Sequence, residues 1–178
     1  MLEEVQHEEF VGKASRRKPE EFKYIRYRLE GHAARITLNR PEHNLLNEPM
    51  LRELAAGIEL LDEKDDVKVV VLDAAGSVFC GGIDIGEYTG HRVFQMLDAF
   101  HAVFNAMIEV GKPVVVVVDG PAFGGGSELV AFGDLVIATP RARFAQPEIT
   151  IGVFPPLAST ILPYIIGPKL ALELVAAR

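Results

Sequence analysis

Val114-Val115-Val116-Val117-Val118-Asp119-Gly120-Pro121-Ala122-Phe123-Gly124-Gly125-Gly126-Ser127-Glu128-Leu129-Val130-Ala131-Phe132 is the stretch that decides the fold. Five consecutive valines are too apolar for a strand with one wet face, so they read as a strand buried on both sides. Asp119 to Gly126 reads as a glycine-rich turn, and Ser127 to Phe132 opens a helix. Another strand, Leu135 to Ala138, follows. A buried strand feeding a helix and then a further strand belongs to an α/β layer.

Working outward, the same grammar repeats. Val93, Met96, Leu97, Phe100, Val103, Phe104, Met107 and Ile108 recur at three- and four-residue steps, which predicts a helix from His91 to Val110. Gly111 ends it and Lys112-Pro113 leads into the valine strand. Phe94, Phe100 and Phe104 are assigned to the core, and His101 to the edge of the apolar face. Val67 to Leu72 reads as a second buried strand, with a turn at Asp73 to Ser77 and the glycine-bearing segment Phe79-Cys80-Gly81-Gly82-Ile83-Asp84-Ile85 after it. Pro49 to Leu61 has helical spacing, with Asn47 or Glu48 at its start. Tyr24 to Leu29 and Ala33 to Leu38 alternate as strands around a Glu30-Gly31-His32 hairpin turn. Asn39 to Asn44 is a loop broken by Pro41. Downstream, Arg141 to Thr150 is read as loop, Ser159 to Ile166 as a short helix, and a last helix starts at Pro168. The whole is an α/β fold of β-β-α units. Residues 1–22 read as a flexible tail, 23–167 as one core domain, and 168–178 as the start of a helical region. That region stops at Ala176-Ala177-Arg178 without a cap, as a truncated C-terminal helical part does.

Composition narrows the classes. With 178 residues, 49% hydrophobic and 24% charged, the chain has the balance of a globular protein. Eighteen basic against 25 acidic residues give a net charge of −7, which speaks against non-specific nucleic-acid binding. Cys80 is the single cysteine, so no intramolecular disulfide is expected. The charged N-terminus has no apolar signal-peptide core, and the longest aliphatic run is far below the ~20 residues of a membrane span. The expectation is a cytoplasmic protein without nucleic-acid or membrane partners.

The chemistry sits in the two glycine turns, Phe79 to Asp84 and Phe123 to Glu128. Glycine lets a backbone approach a ligand closely with its N–H groups unobstructed, and a helix start adds unpaired donors and partial positive charge. Two such turns side by side can aim two N–H groups at one oxygen, the construction of an oxyanion hole. Plain helix–sheet packing is the alternative. Phosphate binding is weak, since the P-loop lysine and hydroxyl are missing and Leu129 stands where a third glycine belongs. Glu128 and Glu148 lie among apolar neighbours. Desolvation would raise their pKa toward the range useful for proton transfer, and a close pair divides into acid and base. A helix-start charge and a solvated loop charge are the bland readings. Ser127 is not in a nucleophile elbow, and His7, His32, His43, His91 and His101 show no metal-ligand spacing, so no metal is expected.

Ile36-Thr37-Leu38-Asn39-Arg40-Pro41, Phe79-Cys80-Gly81-Gly82-Ile83-Asp84-Ile85, Ala122-Phe123-Gly124-Gly125-Gly126-Ser127-Glu128-Leu129 and Phe144-Ala145-Gln146-Pro147-Glu148-Ile149-Thr150-Ile151-Gly152, in this order and spacing, resemble the enoyl-CoA hydratase/isomerase (crotonase) superfamily. The likeness runs from about Tyr24 to Arg178. It implies a crotonase-like spiral of β-β-α units, assembled as a homotrimer or hexamer, that binds acyl-CoA thioesters and stabilises an enolate. Coenzyme A enters as part of the substrate and no separate cofactor is implied. The resemblance puts the oxyanion-hole amides at Ile83 and Gly125 and the catalytic glutamates at Glu128, which activates water, and Glu148, which protonates C2. CoA and substrate contacts fall on His43, Leu45, Gly81, Ile83, Asp84, Ile85, Gly86, Gly124, Gly125 and Pro147. Arg40, Arg141 and Arg143 are candidates for the CoA phosphates. Retention of both glutamates implies a hydratase over an isomerase, a thioesterase or a non-catalytic acyl-CoA-binding subunit. Phe154-Pro155-Pro156-Leu157-Ala158 and the short Pro41–Leu46 loop look more like the cyclic dienoyl-CoA hydratases, such as cyclohexa-1,5-diene-1-carbonyl-CoA hydratase.

Overall fold

The computed structural model describes residues 18–87 and 89–176. Strand β1 (Ile25–Glu30) pairs antiparallel with β2 (Ala33–Leu38), with Ile25 opposite Leu38 and Glu30 opposite Ala33. Strands β3 (Val69–Ala74), β4 (Val114–Val118) and β6 (Leu135–Ala138) then add in parallel, giving the order β1-β2-β3-β4-β6. A second, smaller row runs beside this sheet. Its strands β5 (Pro121–Phe123) and β7 (Arg143–Ala145) are parallel, and single bridges join Cys80 to Ala122 and Leu46 to Ile83. Each pass of the chain therefore lays one strand in the large sheet and one short extended segment in the small row before entering a helix. This is the β-β-α unit the sequence predicts.

The helices follow from local chemistry. Helix α1 (Glu48–Glu59) starts where the Asn47 side chain accepts the Met50 N–H at 3.1 Å, with Pro49 in the first turn where its missing N–H costs nothing. Helix α2 (Arg92–Glu109) packs on α1 and ends before Gly111, whose φ of 60° suits glycine. Helices α3 (Gly125–Phe132), α4 (Pro156–Ile165) and α5 (Pro168–Ala176) complete the order. Ile36, Leu38, Leu46, Leu51, Leu54, Met96, Phe100, Val116 and Val118 are fully buried between sheet and helices. Phe100, Phe104 and Phe132 stack edge to face at 4.8 and 4.9 Å. The corner from β4 into β5 depends on Gly120: at its φ of 138°, a Cβ would sit 2.2 Å from the Ser77 carbonyl oxygen.

Several expectations shift. Of the expected tail, residues 1–17 lie outside the described residues, while Pro19–Glu21 forms a 3-10 turn and Phe22 packs on the core. The segment read as loop from Arg141 to Thr150 holds β7 and a 3-10 turn, Pro147–Ile151. Three residues read as turn are strand β5, because a three-residue strand is too short to show a period. Helix α3 begins at Gly125 rather than Ser127, α4 at Pro156 rather than Ser159, and β3 covers 69–74 rather than 67–72. Phe94 is 65% exposed rather than core, because it lies on the face of α2 opposite the one that carries Met96, Phe100 and Val103. Ile108, expected on the buried face, and His101 are exposed as well. All of β6 is exposed despite its apolar sequence. No helix of the described residues is long and apolar enough to cross a membrane.

Candidate active site

The loop after β2 is pinned first. Asn44, fully buried at a φ of 48°, accepts the Arg40 N–H at 2.8 Å and donates to the Ala75 and Val78 carbonyls at 2.9 Å each. Arg40 donates to the Leu45 carbonyl at 2.7 Å and to Asp84 Oδ2 at 2.9 Å, and the guanidinium holds the Asp84 carboxyl below its usual range. The first glycine turn is thereby locked to this loop: Gly81 N–H donates to the His43 carbonyl, Leu46 N–H to Gly82, and Asp84 N–H to Leu46, all at 2.8 Å. A Cβ on Gly81 would lie 3.0 Å from the Leu45 side chain. Arg40 is thus occupied within the protein, and Arg141 pairs with Asp119 while Arg143 bonds the Pro140 and Ala142 carbonyls. Arg141 and Arg143 both stand exposed at the surface.

The second turn packs onto the first. A Cβ on Gly82 would lie 3.2 Å from the Phe123 carbonyl, and one on Gly125 would lie 3.0 Å from Ile83 Cγ1. These contacts bring the two glycine turns together, the Ile83 side chain against Gly125. Among the described residues neither the Ile83 nor the Gly125 amide takes part in a backbone hydrogen bond. Asp84, Ile85 and Gly86 continue from Ile83 into a 3-10 turn, in which Gly86 N–H donates to Asp84 Oδ1 at 3.1 Å and Ile85 is exposed.

The carboxylates come from two further elements. Glu128 stands one turn into α3, its N–H on the Gly124 carbonyl at 3.0 Å, and its side chain is 2% exposed. Its Oε1 accepts the Ala158 N–H at 2.6 Å. Burial pushes its pKa up to about 7; the Ala158 and Leu157 amides pull it down, and the Glu148 charge pushes it up. Glu148 sits in the 3-10 turn that Pro147 opens, half-buried, with its pKa also raised by burial. A Cβ added to Gly124 would lie 2.5 Å from Glu148 Oε1, so the glycine turn and the carboxylate touch. Glu148 Oε2 is buried without a partner. The Glu148 charge thus adds to burial in holding the Glu128 carboxyl up, while burial alone is what raises Glu148.

Two features escaped the sequence. The Ala158 amide at the start of α4 binds Glu128, a contact no spacing rule announces. Gln146 is 1% exposed with neither side-chain amide atom partnered, two residues before Glu148. Its place in Phe144-Ala145-Gln146-Pro147-Glu148 is visible in the sequence, but its burial is not. Among the described residues no group of three metal-ligating side chains is assembled.

Residues 29–177 match the family model for enoyl-CoA hydratase/isomerase. The cyclohexa-1,5-dienecarbonyl-CoA hydratase of Thauera aromatica is 34% identical over 146 residues, covering 82% of this chain and 57% of that protein. A probable enoyl-CoA hydratase of Rhizobium meliloti is 36% identical over 152 residues, with 82% and 58% covered. Among solved structures, an enoyl-CoA hydratase subunit I from Geobacillus kaustophilus superposes with a TM-score of 0.81 at 36% identity, over 89% of this chain and 63% of that one. The chain thus spans less than two thirds of the length of these relatives, and the crotonase-like fold expected from the sequence is the one it shares with them.

Proposed function

The chain belongs to the enoyl-CoA hydratase/isomerase family, and from that premise we propose that it adds water across the C2–C3 double bond of an α,β-unsaturated acyl-CoA. One observation carries the reading: two carboxyls, Glu128 buried and Glu148 half-buried, lie at the Gly124-Gly125 turn that packs on Ile83. The thioester carbonyl oxygen accepts the Ile83 and Gly125 N–H groups. As water attacks C3, negative charge moves onto that oxygen, and two fixed donors there stabilise the enolate. Glu128 takes the proton from water. Its pKa of about 7 suits a base working near neutrality. Glu148, whose Oε2 meets no donor, carries the proton that C2 receives as the enolate collapses. Elimination reverses both transfers.

The CoA portion runs along His43, Leu45, Gly81 and Asp84 to Gly86, coenzyme A entering as part of the substrate. Pro147 sets the direction of the Glu148 turn, and the Phe154-Pro155-Pro156 wall stiffens the acyl end. The Thauera aromatica relative acts on a cyclohexadiene-carbonyl thioester by name, which favours a ring-shaped acyl group for this wall. The exposed apolar β6 fits assembly into the expected trimer.

The test offers linear enoyl-CoA and cyclic dienoyl-CoA esters in labelled water and follows product mass. Gain of one water, abolished by Glu128→Gln and by Glu148→Gln with ester binding retained, supports hydration. Unchanged mass with a moved double bond, or release of free CoA, overturns it in favour of isomerase or thioesterase. Near-native turnover in either variant removes the roles given to the glutamates.

A further inference from the structure

Glu128 does not stand alone in the cleft: it crosses from α3 to the first turn of α4. That turn needs an acceptor. Pro156 opens α4 without an N–H, and Pro155 before it offers no side-chain cap. The first N–H groups of the helix are therefore those of Leu157 and Ala158, which no intrahelical carbonyl can take. The Ala158 N–H goes to Glu128 Oε1 at 2.6 Å, and the Leu157 amide beside it adds a smaller pull on the same carboxyl. A carboxylate at this place also faces the positive end of the α4 dipole. Glu148, by contrast, has no donor on its buried Oε2.

The geometry points to the α4 N-terminus as the positioning element of the proposed reaction: the Ala158 amide fixes Glu128 Oε1 and favours its anion, leaving Oε2 for the water. The inference rests on the hydratase reading and adds to it the groups that make a buried carboxyl serviceable as a base. Without them, burial and the Glu148 charge act unopposed on Glu128 and hold it protonated. Among the described residues Glu148 is the charged group that acts on Glu128, and α2, whose Phe104 stacks on Phe132 of α3, carries its Arg92, Asp98, His101 and Glu109 exposed to solvent. Helix α4 and strand β5, which pack on α3, carry no Asp, Glu, Lys, Arg or His; Tyr164 of α4 is 90% exposed, and Glu148 comes from the 3-10 turn. The arrangement also explains a proline at the start of α4: it is the first-turn position where a missing N–H takes nothing from Glu128.

The test replaces one N–H by an ester oxygen. Exchanging residue 158 for the α-hydroxy analogue of alanine keeps the buried methyl and deletes only the donor. The Glu128 carboxyl titration is read by carbon NMR, assigned through Glu128→Gln, and needs no substrate. It is expected to move up by about one unit or more, the worth of a hydrogen bond to a charged group. The acid limb of the kcat–pH profile should move with it while KM for the ester stays put. Ala158→Gly, which keeps the N–H, should leave both where they are. If the ester at 158 does not fold, the same exchange at Leu157 reads the second donor, with a shift in the same direction. A Glu128 titration unmoved by the ester overturns the proposal, as does one moved equally by Ala158→Gly. A shifted titration in a chain that hydrates no ester sinks the hydratase reading and leaves the positioning contact standing.

Discussion

Replacing Gly124 by alanine tests the contact between the second glycine turn and Glu148. Gly124 has φ 51° and ψ −126°, a backbone conformation nearly confined to glycine, and forcing a side chain into it costs about 1–3 kcal/mol. The added Cβ would stand 2.5 Å from Glu148 Oε1, whereas ordinary contact begins at 3.4 Å, so the carboxylate must retreat by about 0.9 Å. Displacing a reacting group by about 1 Å is worth a factor of ~10² in rate. Gly124→Ala should therefore lose about 10² in kcat on an enoyl-CoA ester with little change in KM, and some stability. Gly31→Ala is the control: its φ is 61°, nothing lies within 4 Å of its Cβ, and it sits in the β1–β2 hairpin. It should cost about 1–2 kcal/mol of stability in urea unfolding and leave turnover alone. Turnover within threefold of the parent in a folded Gly124→Ala protein would refute the placement of Glu148 against this turn as a working contact.

Other outcomes follow from the same contacts. Glu128 titrates near an ordinary 4.5 when unfolded and at about 7 in place. The native state thus binds its proton more tightly, and that stabilisation is complete below about pH 4.5 and lost as pH rises to about 7, about 3 kcal/mol in all. Urea unfolding of Glu128→Gln, which does not titrate, should gain on the parent across this window; parallel pH profiles would contradict it. Asn44→Ala strands the Arg40 N–H and two carbonyls and puts alanine at positive φ, so it should lose ~3 kcal/mol or more, seen as a lower urea midpoint. The Cys80 thiol is buried and pushed up to about 12 by desolvation, so alkylation should proceed only at the rate of unfolding; rapid labelling of the native protein would place Cys80 at the surface.

Legibility followed length and period. Helix α2 was legible because many apolar residues repeat at helical spacing, and β2 because its six residues alternate cleanly, buried at every second position. Strands β5 and β7 were hidden because three residues carry no period, and they are held by pairing with each other and with Cys80 rather than by propensity. The exposure of β6 could not be told from its sequence, since apolarity alone does not say whether another chain segment lies over it. Of the site, the two glycine turns and both glutamates were readable as residue types. The ion pairing of Arg40 with Asp84 was not, because its partners stand 44 positions apart.

The amino-acid order alone determined that buried strands alternate with helices, that glycines interrupt the chain twice after apolar strands, and that Glu128 and Glu148 lie in apolar company. These are properties of neighbours along the chain, where spacing and side-chain chemistry act directly. Only the tertiary structure decided that Gly125 packs on Ile83, that Glu148 meets Gly124, and that the Ala158 amide closes on Glu128. Those contacts join segments brought together by sheet pairing, and desolvation, which sets the pKa of both carboxyls, is a property of the assembled interior and of no residue by itself.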